Sequence, residues 1–583
     1  MTTLAGSPRN AGGVALLVGV LLLVPLLALV VTAFLTFDGA ALAHLARTVL
    51  AETLLVSGTL AVGTLGGTLL IGVSCAWCIE RYDFPGRQAL SWMLVLPLAM
   101  PSYVIAYAYT DLLQYSGPIQ LWLRTTLGWR GRLPDIRSLS GAIFLFSFVL
   151  YPYVYLMTRT ALAELSSSAV ESARLLGQSR WGVFWRVVRP LIMPSIIAGA
   201  MLVLMETLAD VGATYYFGLT TFSAGIYKTW FAMGSRSAAL MLAVVLLAAV
   251  AGIYLVERRA RGRAMQVTSR THRPWAPERL RPRTGLAIAV ALFLPVLAGF
   301  VIPVAGLLWL LAREPEMTPT LERFWLWAGN SFIAGFLGAT VTLLLAIAFA
   351  YATRFSESLQ AKLVGAVATG LKFGYAVPGA VVALAILWPM AVFDRAITDA
   401  LNMATPLLTH TIIGLIYAYM LRFFAVSYGG VEASMQRITP SLDFAARTLG
   451  ASRIQVFWRV HLPLLRRAAM VAWMLVLIDV MKELPATLML RPFNFDTLAV
   501  IAQQLSQDER LAEAALPSLA IVVIGIVPVI LISRLLQRRP MPASSSSDNS
   551  RSAIGSSSWS SWIRCWRHRL VNASTSTRCG MPG

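Results

Sequence analysis

A twenty-residue stretch of this chain occurs twice. Residues 172–191 and 445–464 align without a gap at an offset of 273, and thirteen of the twenty positions are identical. Self-similarity at a fixed offset indicates a repeated structural unit, and it constrains the fold more than any single motif. The same offset superposes Asp210 on Glu483. The sequence therefore predicts two structurally homologous halves in one polypeptide.

The composition places most of the chain in a bilayer. Of 583 residues, 57% are hydrophobic and 13% are charged, and the mean hydropathy is +0.70. These values leave too few charges to cover a soluble globule of this size. A helix crosses the hydrocarbon core with about 20 apolar residues, because lipid offers no partner for unpaired backbone groups. We predict an all-α polytopic membrane protein with about twelve transmembrane helices, in two homologous six-helix halves.

The apolar segments and the sequence between them divide the chain into four parts. The expected spans lie near residues 14–36, 54–79, 89–112, 139–158, 195–217, 237–256, 285–311, 329–353, 365–392, 408–427, 468–490 and 514–534. The parts are a first half (1–256, with its repeated loop at about 164–194), a basic linker (257–284), a second half (285–535, with its loop at about 432–467) and a Ser-rich tail (536–583). The low-complexity tail is predicted to be disordered and cytoplasmic.

The distribution of basic residues predicts the orientation. The net charge is +21, which in a soluble chain would suggest nucleic-acid binding. With both termini placed in the cytoplasm, 33 of the 48 Lys and Arg residues fall in cytoplasmic segments and 12 in external loops. This asymmetry follows the positive-inside rule, so we expect cytoplasmic termini and contact with lipid, and no nucleic-acid partner.

Each copy of the repeat follows the fourth predicted span of its half, on the side assigned as cytoplasmic. A glycine in each copy, Gly177 or Gly450, tolerates the left-handed conformation that ends a helix. A proline, Pro190 or Pro463, then redirects the chain into the fifth span. We expect a helix, a sharp turn and a second helix parallel to the membrane, suited to docking into a groove of a partner. The alternative is an interfacial helix that rests on lipid headgroups.

These residues resemble the EAA loop of binding-protein-dependent ABC transporter permeases. The matching residues are Glu171, Ala173, Gly177, Phe184 and Pro190 in the first copy, and Asp443, Ala445, Ala446, Gly450, Phe457 and Pro463 in the second. In the second copy Phe444 stands where the family has Glu, and Asp443 precedes it. The resemblance implies that each loop forms a coupling helix that inserts into an ATPase subunit.

The resemblance also implies the partners and the location. It predicts two copies of a cytoplasmic ABC ATPase, an extracytoplasmic substrate-binding protein and a place in the bacterial inner membrane. ATP would be used by the partner, and this chain would bind no cofactor and contribute no catalytic residue. In agreement with that expectation, no GxxxxGK[ST] phosphate loop occurs in the sequence.

The substrate is predicted from the end of the second half. The stretches Met481–Thr487 and Leu490–Leu498, together with the fused layout, resemble the permeases of ferric iron importers. Related permeases for thiamine, polyamines, sulfate and phosphonates share this architecture and remain alternatives. An alternative of another class is an ion-coupled secondary transporter, against which the repeated loop argues.

Charged residues within the predicted spans are candidates for a translocation path. An ionised group in hydrocarbon is costly, so it usually faces a partner or a wet cavity, and prolines that interrupt helices expose carbonyl groups beside such a path. The candidates are Glu206, Asp210, Asp479, Lys482, Glu483, Pro101 and Pro378. Asp479 and Glu483, four residues apart, are expected on one helix face with Lys482 between them. The alternative is ion pairing that locks helices together. No metal site is predicted.

Overall fold

The computed structural model describes residues 8–35, 47, 50–129, 131–163, 165, 167–264, 277–317, 319–355, 358–402, 408–409 and 411–537. Both termini, linker residues 265–276 and the predicted tail from 538 onward lie outside this part of the chain. Helices dominate the described residues, and the strands found among them are two residues long: β1 (Tyr82–Asp83) pairs in parallel with β2 (Glu278–Arg279). The predicted all-α class is therefore confirmed.

Twelve α-helices lie in the described part of the first half. In chain order they are α1 (Pro8–Leu35), α2 (Ala51–Arg81), α3 (Arg87–Met93), α4 (Ser102–Leu113), α5 (Pro118–Leu127), α6 (Leu139–Ala163), α7 (Ser167–Leu175), α8 (Arg180–Val183), α9 (Arg189–Ala209), α10 (Gly212–Tyr216), α11 (Phe222–Phe231) and α12 (Arg236–Ala264). A 3-10 turn (Leu96–Ala99) precedes α4, and a π-helical segment (Phe184–Val188) joins α8 to α9.

The second half follows the same order. Its helices are α13 (Pro282–Val296), α14 (Ile302–Arg313), α15 (Leu321–Phe355), α16 (Ser358–Phe373), α17 (Gly379–Leu401), α18 (Ile412–Gln436), α19 (Pro440–Thr448), α20 (Arg453–Val456), α21 (Leu462–Met481), α22 (Pro485–Leu490), α23 (Leu498–Gln507) and α24 (Leu511–Gln537). π-Helical segments join α13 to α14 (Leu297–Val301) and α20 to α21 (Phe457–His461), and a 3-10 turn (Pro315–Met317) follows α14.

Nine helices of the described chain are long and apolar enough to cross a membrane. A tenth candidate is the pair Arg87–Ala99 and Ser102–Leu127, which bends by 92° at its break. The predicted spans near 468–490 and 514–534 correspond to α21 and α24. The chain is thus a polytopic membrane protein.

Four of the predicted spans are interrupted rather than continuous. In the first half α9 stops at Ala209, and in the second half α21 stops at Met481. The other two breaks precede α4 and α17, which begin directly after Pro101 and Pro378. A proline lacks the backbone N–H that a helix interior uses, so it is tolerated at a helix start. The breaks fall at corresponding places in the two halves.

Small residues allow the helices of each half to approach closely. A Cβ at Gly72 of α2 would lie 2.8 Å from the Val154 side chain of α6, and a Cβ at Gly199 of α9 would lie 2.9 Å from the Cα of that residue. Close backbone packing of this kind supplies contacts where lipid removes the hydrophobic driving force. Helix α6 is thereby held between α2 and α9.

The first membrane span of each half, α1 or the continuous span α13–α14, packs against the other half. Helix α1 lies on α15, α16 and α17, and its Leu22 shares a buried cluster with Phe349 and Leu371. In return α14 packs on α4, where Leu307 is buried with Tyr107. This exchange joins the two halves into one bundle.

Candidate functional site

The first copy of the repeat folds as an elbow, defined here as elbow 1 (residues 167–190). Helix α7 ends where Gly177 takes a positive φ of 79°. The Gly177 N–H donates to the Arg174 carbonyl at 2.9 Å, and the Gln178 N–H donates to the Ala173 carbonyl at 3.1 Å. This pair of bonds is the Schellman arrangement that closes a helix at a left-handed residue. The chain then turns into α8.

The second copy, elbow 2 (residues 440–463), has the same backbone. Gly450 has a φ of 85°, its N–H donates to the Arg447 carbonyl at 2.9 Å, and the Ala451 N–H donates to the Ala446 carbonyl at 3.1 Å. At both glycines a Cβ would meet no atom within 4 Å. Only the backbone conformation, and not a lack of space, therefore requires glycine at these turns.

One face of each elbow is anchored on a membrane helix of its own half. The Phe184 ring packs edge to face on Trp77 of α2, with centroids 5.2 Å apart. At the matching position the Phe457 ring packs on Tyr351 of α15 at 5.4 Å. Such aromatic contacts fix the orientation of the elbow on the bundle.

The other face of each elbow exposes large apolar side chains. In elbow 1 these are Leu175, Leu176, Trp181 and Trp185, and in elbow 2 they are Phe444, Leu449, Ile454 and Trp458. Leu175 is 88% exposed and Trp458 is 61% exposed. Clustered apolar side chains on a surface mark an interaction site. Glu171 is also on the exposed surface of elbow 1.

Asp443 points into the protein rather than outward. Its carboxylate forms an ion pair with Arg354 of α15 at 2.8 Å and contacts His461 Nε2 at 2.7 Å. Elbow 1 has Val170 and Val188 at the positions of Asp443 and His461, and both valines are buried. Asp443 therefore lies in the contact between elbow 2 and α15, called here the joint of that elbow. The exposed position that Glu171 has in elbow 1 is taken by Phe444 in elbow 2. Arg354 and His461 were not singled out from the sequence, because their partners are distant in the chain.

A polar cavity of about 130 Å³ lies between the two halves. Six of the seven predicted path residues line it: Pro101, Glu206, Asp210, Asp479, Lys482 and Glu483. Pro378 is not among its lining residues, but it precedes Gly379, where a Cβ would collide with the Arg422 guanidinium and lie 2.7 Å from Glu483 Oε1. Tyr153, Tyr375 and Arg422 also line the cavity, and the sequence did not indicate Tyr375 or Arg422 for it.

Two of the cavity carboxylates cap short helices in the same way. The Asp210 carboxylate accepts from the N–H groups of Ala213 (3.0 Å) and Thr214 (3.1 Å) at the start of α10. The Glu483 carboxylate accepts from the N–H groups of Ala486 and Thr487 at 2.9 Å each, at the start of α22. The first N–H groups of a helix have no carbonyl partner within that helix, which explains why an acidic residue stands at both repeat positions.

Glu483 does not share a helix face with Asp479, which corrects the expected i to i+4 arrangement. Helix α21 ends at Met481, and Glu483 lies in the break, where it can reach the next helix. Asp479 instead pairs with Lys482 at 2.9 Å. Both carboxylates still face the same cavity.

The cavity carboxylates also form contacts that hold helices together. Glu483 Oε1 accepts from the Arg422 guanidinium of α18 at 2.7 Å. Ser102, the first residue of α4, donates to the Asp210 carboxylate. The two roles considered from the sequence, a polar lining and helix locking, therefore fall on the same side chains. Within the described residues, no group of three or more His, Cys, Asp or Glu side chains is arranged to hold a metal ion.

Comparisons with known proteins agree with this architecture. The family model "Binding-protein-dependent transport system inner membrane component" matches residues 68–262 and 359–541. The "Fe(3+)-transport system permease protein FbpB 2" of Haemophilus influenzae is 25% identical over 472 residues, covering 80% of this chain and 87% of that protein.

Two further relatives match shorter stretches of the chain. The molybdenum transport system permease protein ModB of Escherichia coli is 30% identical over 187 residues, which cover 31% of this chain and 80% of that protein. The sulfate transport system permease protein CysT of the same species is 30% identical over 152 residues, covering 25% of this chain and 51% of that protein. Because the family model matches both halves over more than half of the chain, this protein belongs to the binding-protein-dependent transport system inner membrane components, as a fused permease with two copies of the family domain.

Proposed function

We propose that this permease carries ferric iron delivered by an extracytoplasmic binding protein, and that two copies of a cytoplasmic ABC ATPase drive it. The observation that carries this proposal is the extent of similarity to the ferric iron permease of Haemophilus influenzae, which includes both halves. The molybdate and sulfate relatives named above each match about a third of the chain or less. Sulfate and molybdate, supported by those relatives, form the second candidate class.

The chemistry of the cavity favours a cation over an oxyanion. Four carboxylates line it, from Glu206, Asp210, Asp479 and Glu483, against the basic groups of Arg422 and Lys482. A path for sulfate or molybdate would be expected to present an excess of positive groups. Carboxylate and phenol oxygens are hard ligands that suit a hard cation.

The elbows are the proposed docking sites for the ATPase. Each presents an exposed apolar face on a rigid turn, and each is anchored by one aromatic ring on a membrane helix. A push on an elbow would therefore be transmitted directly to α2 or α15. Movement of the two helix groups about the cavity between them would open it to alternate sides of the membrane, with ATP bound and hydrolysed by the partner.

Reconstituted transport tests the substrate. The full-length chain is placed in proteoliposomes with its ATPase, and uptake is measured from a binding protein loaded with radioactive ferric iron. We expect ATP-dependent iron uptake and no uptake of sulfate or molybdate supplied with their own binding protein. Transport of either oxyanion without transport of iron would overturn the assignment.

The energy source is tested in the same vesicles. An ATPase variant that binds but does not hydrolyse ATP should abolish uptake, while collapse of the ion gradients with ionophores should leave it unchanged. The reverse pattern would identify an ion-coupled secondary transporter.

A further inference from the structure

A second and larger cavity lies beside elbow 1. This groove of about 620 Å³ is bounded by α2, α6, the elbow and the start of α9. Most of its wall is apolar or aromatic, formed by Val73, Trp77, Leu162, Trp181, Phe184 and Ile192. The central path does not use these residues. Trp77 and Phe184 also anchor elbow 1, and Trp181 also belongs to its exposed face, but no role in transport has been assigned to the space that they enclose with α6 and α9.

Three charged residues line the groove: Arg81, Arg174 and Glu278. Arg81 is the last residue of α2, and Arg174 lies in the last turn of α7. Both line the groove, together with one carboxylate, from Glu278 of β2, which pairs with Arg81 at 2.8 Å. From Val73 to Arg81 the helix rises about 12 Å. The groove thus runs from the apolar part of a membrane-spanning helix to its charged end.

This combination fits an amphiphile of negative charge. Two guanidinium groups against one carboxylate leave an excess of positive charge, and Arg binds phosphate groups by paired hydrogen bonds. Basic pockets between membrane helices bind anionic headgroups, while the apolar wall suits acyl chains. We propose that the groove binds an anionic phospholipid, with its phosphate at Arg81 and Arg174 and its acyl chains against Trp77, Phe184 and Ile192.

Charge argues against the linker as the occupant. Residues 265–276, which lie outside the described part of the chain, contain two arginines, one histidine and no acidic residue. Placing this segment on Arg81 and Arg174 would bring like charges together. Inorganic phosphate would satisfy the arginines, but it would leave the apolar wall of a much larger groove unused.

The repeat supplies a matched control. Arg447 occupies the position of Arg174 in elbow 2 and is exposed in the same way. At that elbow the joint beside α15 is filled by side chains, because the Phe355 ring stacks on the His461 ring with centroids 5.4 Å apart. Arg174→Gln and Arg447→Gln therefore make the same change at two similar helix ends.

The experiment measures lipid retention by native mass spectrometry of the purified full-length chain, titrated with phosphatidylglycerol or phosphatidylcholine. We expect one phosphatidylglycerol to be retained per chain in preference to phosphatidylcholine. Arg174→Gln should weaken that binding about fivefold, the loss expected for one basic group near a headgroup. Arg447→Gln should leave it unchanged. Equal retention of the two lipids, or equal effects of the two variants, would overturn the proposal.

A second variant separates lipid from free phosphate. Ser74 of α2 lines the groove and is exposed, so Ser74→Trp fills the acyl region without disturbing the core. It should abolish phosphatidylglycerol retention. Competition by millimolar inorganic phosphate should have little effect on the unaltered chain. If phosphate displaces the lipid fully, or if Ser74→Trp retains it, the groove is a site for a soluble anion or is empty, and the lipid assignment fails.

Discussion

At the scale of single residues, the two halves differ in the side chains that fill the contact between elbow and membrane helix. Elbow 1 closes its joint with the buried valines Val170 and Val188. Elbow 2 uses Asp443 and His461 at those positions, with Arg354 as the third member. A buried ion pair gives little net stability over an apolar pair, but removal of one partner leaves an uncompensated charge. The two joints therefore differ in their tolerance of single substitutions.

Asp443→Val should destabilise the protein by about 3 kcal/mol, because Arg354 and His461 would lose their shared carboxylate. Adding His461→Val recreates the apolar pair of elbow 1 and should recover at least about 1 kcal/mol of that loss. Arg354 would still donate to the carbonyls of Met435 and Ile438, at 2.8 and 2.9 Å. Unfolding of the purified chain by denaturant measures both variants. A double variant no more stable than Asp443→Val would show that a valine pair cannot replace Asp443 and His461 in elbow 2.

Asp210 and Glu483 occupy equivalent positions in the two halves, so substitutions of these two carboxylates can be compared directly. Within the described chain, Glu483 is the one acidic residue paired with Arg422, and Glu483→Gln removes its charge. Asp210→Asn instead changes a carboxylate that accepts from the Ser102 hydroxyl. Asn at position 210 can keep the single oxygen that accepts from both N–H groups of α10. Gln at position 483 keeps one of the two oxygens that cap α22. We expect the melting temperature to fall further for Glu483→Gln, because an unpaired buried guanidinium is costly. Equal shifts in a thermal unfolding assay would show that the ion pair with Arg422 contributes nothing.

At the scale of elements, the elbows depend on two glycines. Their φ angles of 79° and 85° lie in the left-handed region, and nothing packs where a Cβ would be. The cost of substitution is therefore conformational, roughly 1–2 kcal/mol for each residue. Asn visits the left-handed region more readily than other residues with a Cβ.

Gly177→Val with Gly450→Val should abolish ATP-driven uptake while the protein remains inserted, because the turn that presents each outer face would be lost. Gly177→Asn with Gly450→Asn should retain most uptake. Membrane fractionation confirms insertion, and crosslinking from positions 185 and 458 to the ATPase reports docking. Normal docking and uptake in the valine double variant would disprove the coupling role of the elbows.

At the scale of the whole molecule, the exchanged first helices make the halves interdependent. Helix α1 packs on the second half, and a Cβ at Gly370 of α16 would lie 3.2 Å from the side chain of Leu23. Reciprocal packing of α14 on α4 buries Leu307 completely. Separating the halves would expose the apolar side chains that each buries against the other. We therefore expect these contacts, rather than the covalent linker, to hold the halves together.

Co-expression of fragments 1–264 and 265–583 should therefore yield a stable complex. With the four native cysteines replaced, Leu23→Cys in one fragment and Gly370→Cys in the other should be joined by a short bismaleimide. Gly365→Cys, on the same helix but beside open space, should not react with the first fragment. Fragments that purify separately, or equal crosslinking at 365 and 370, would contradict the exchange.

The sequence by itself determined the class of fold, the repeat and the elbows. Those features are encoded by local information: apolar length, identities at one fixed offset, and a glycine at the turn. The expected redirection of the chain at Pro190 is wrong, because the helix continues through this residue from Trp181 to Ala209. The sequence also indicated which charged residues of the spans matter, because an acidic group in an apolar segment needs a partner. Tertiary structure alone decided what the partners are: Arg422 for Glu483, Arg354 and His461 for Asp443, and the opposite half for α1. These contacts join residues distant in the chain, and a single sequence contains no physical signal of which distant surfaces will meet.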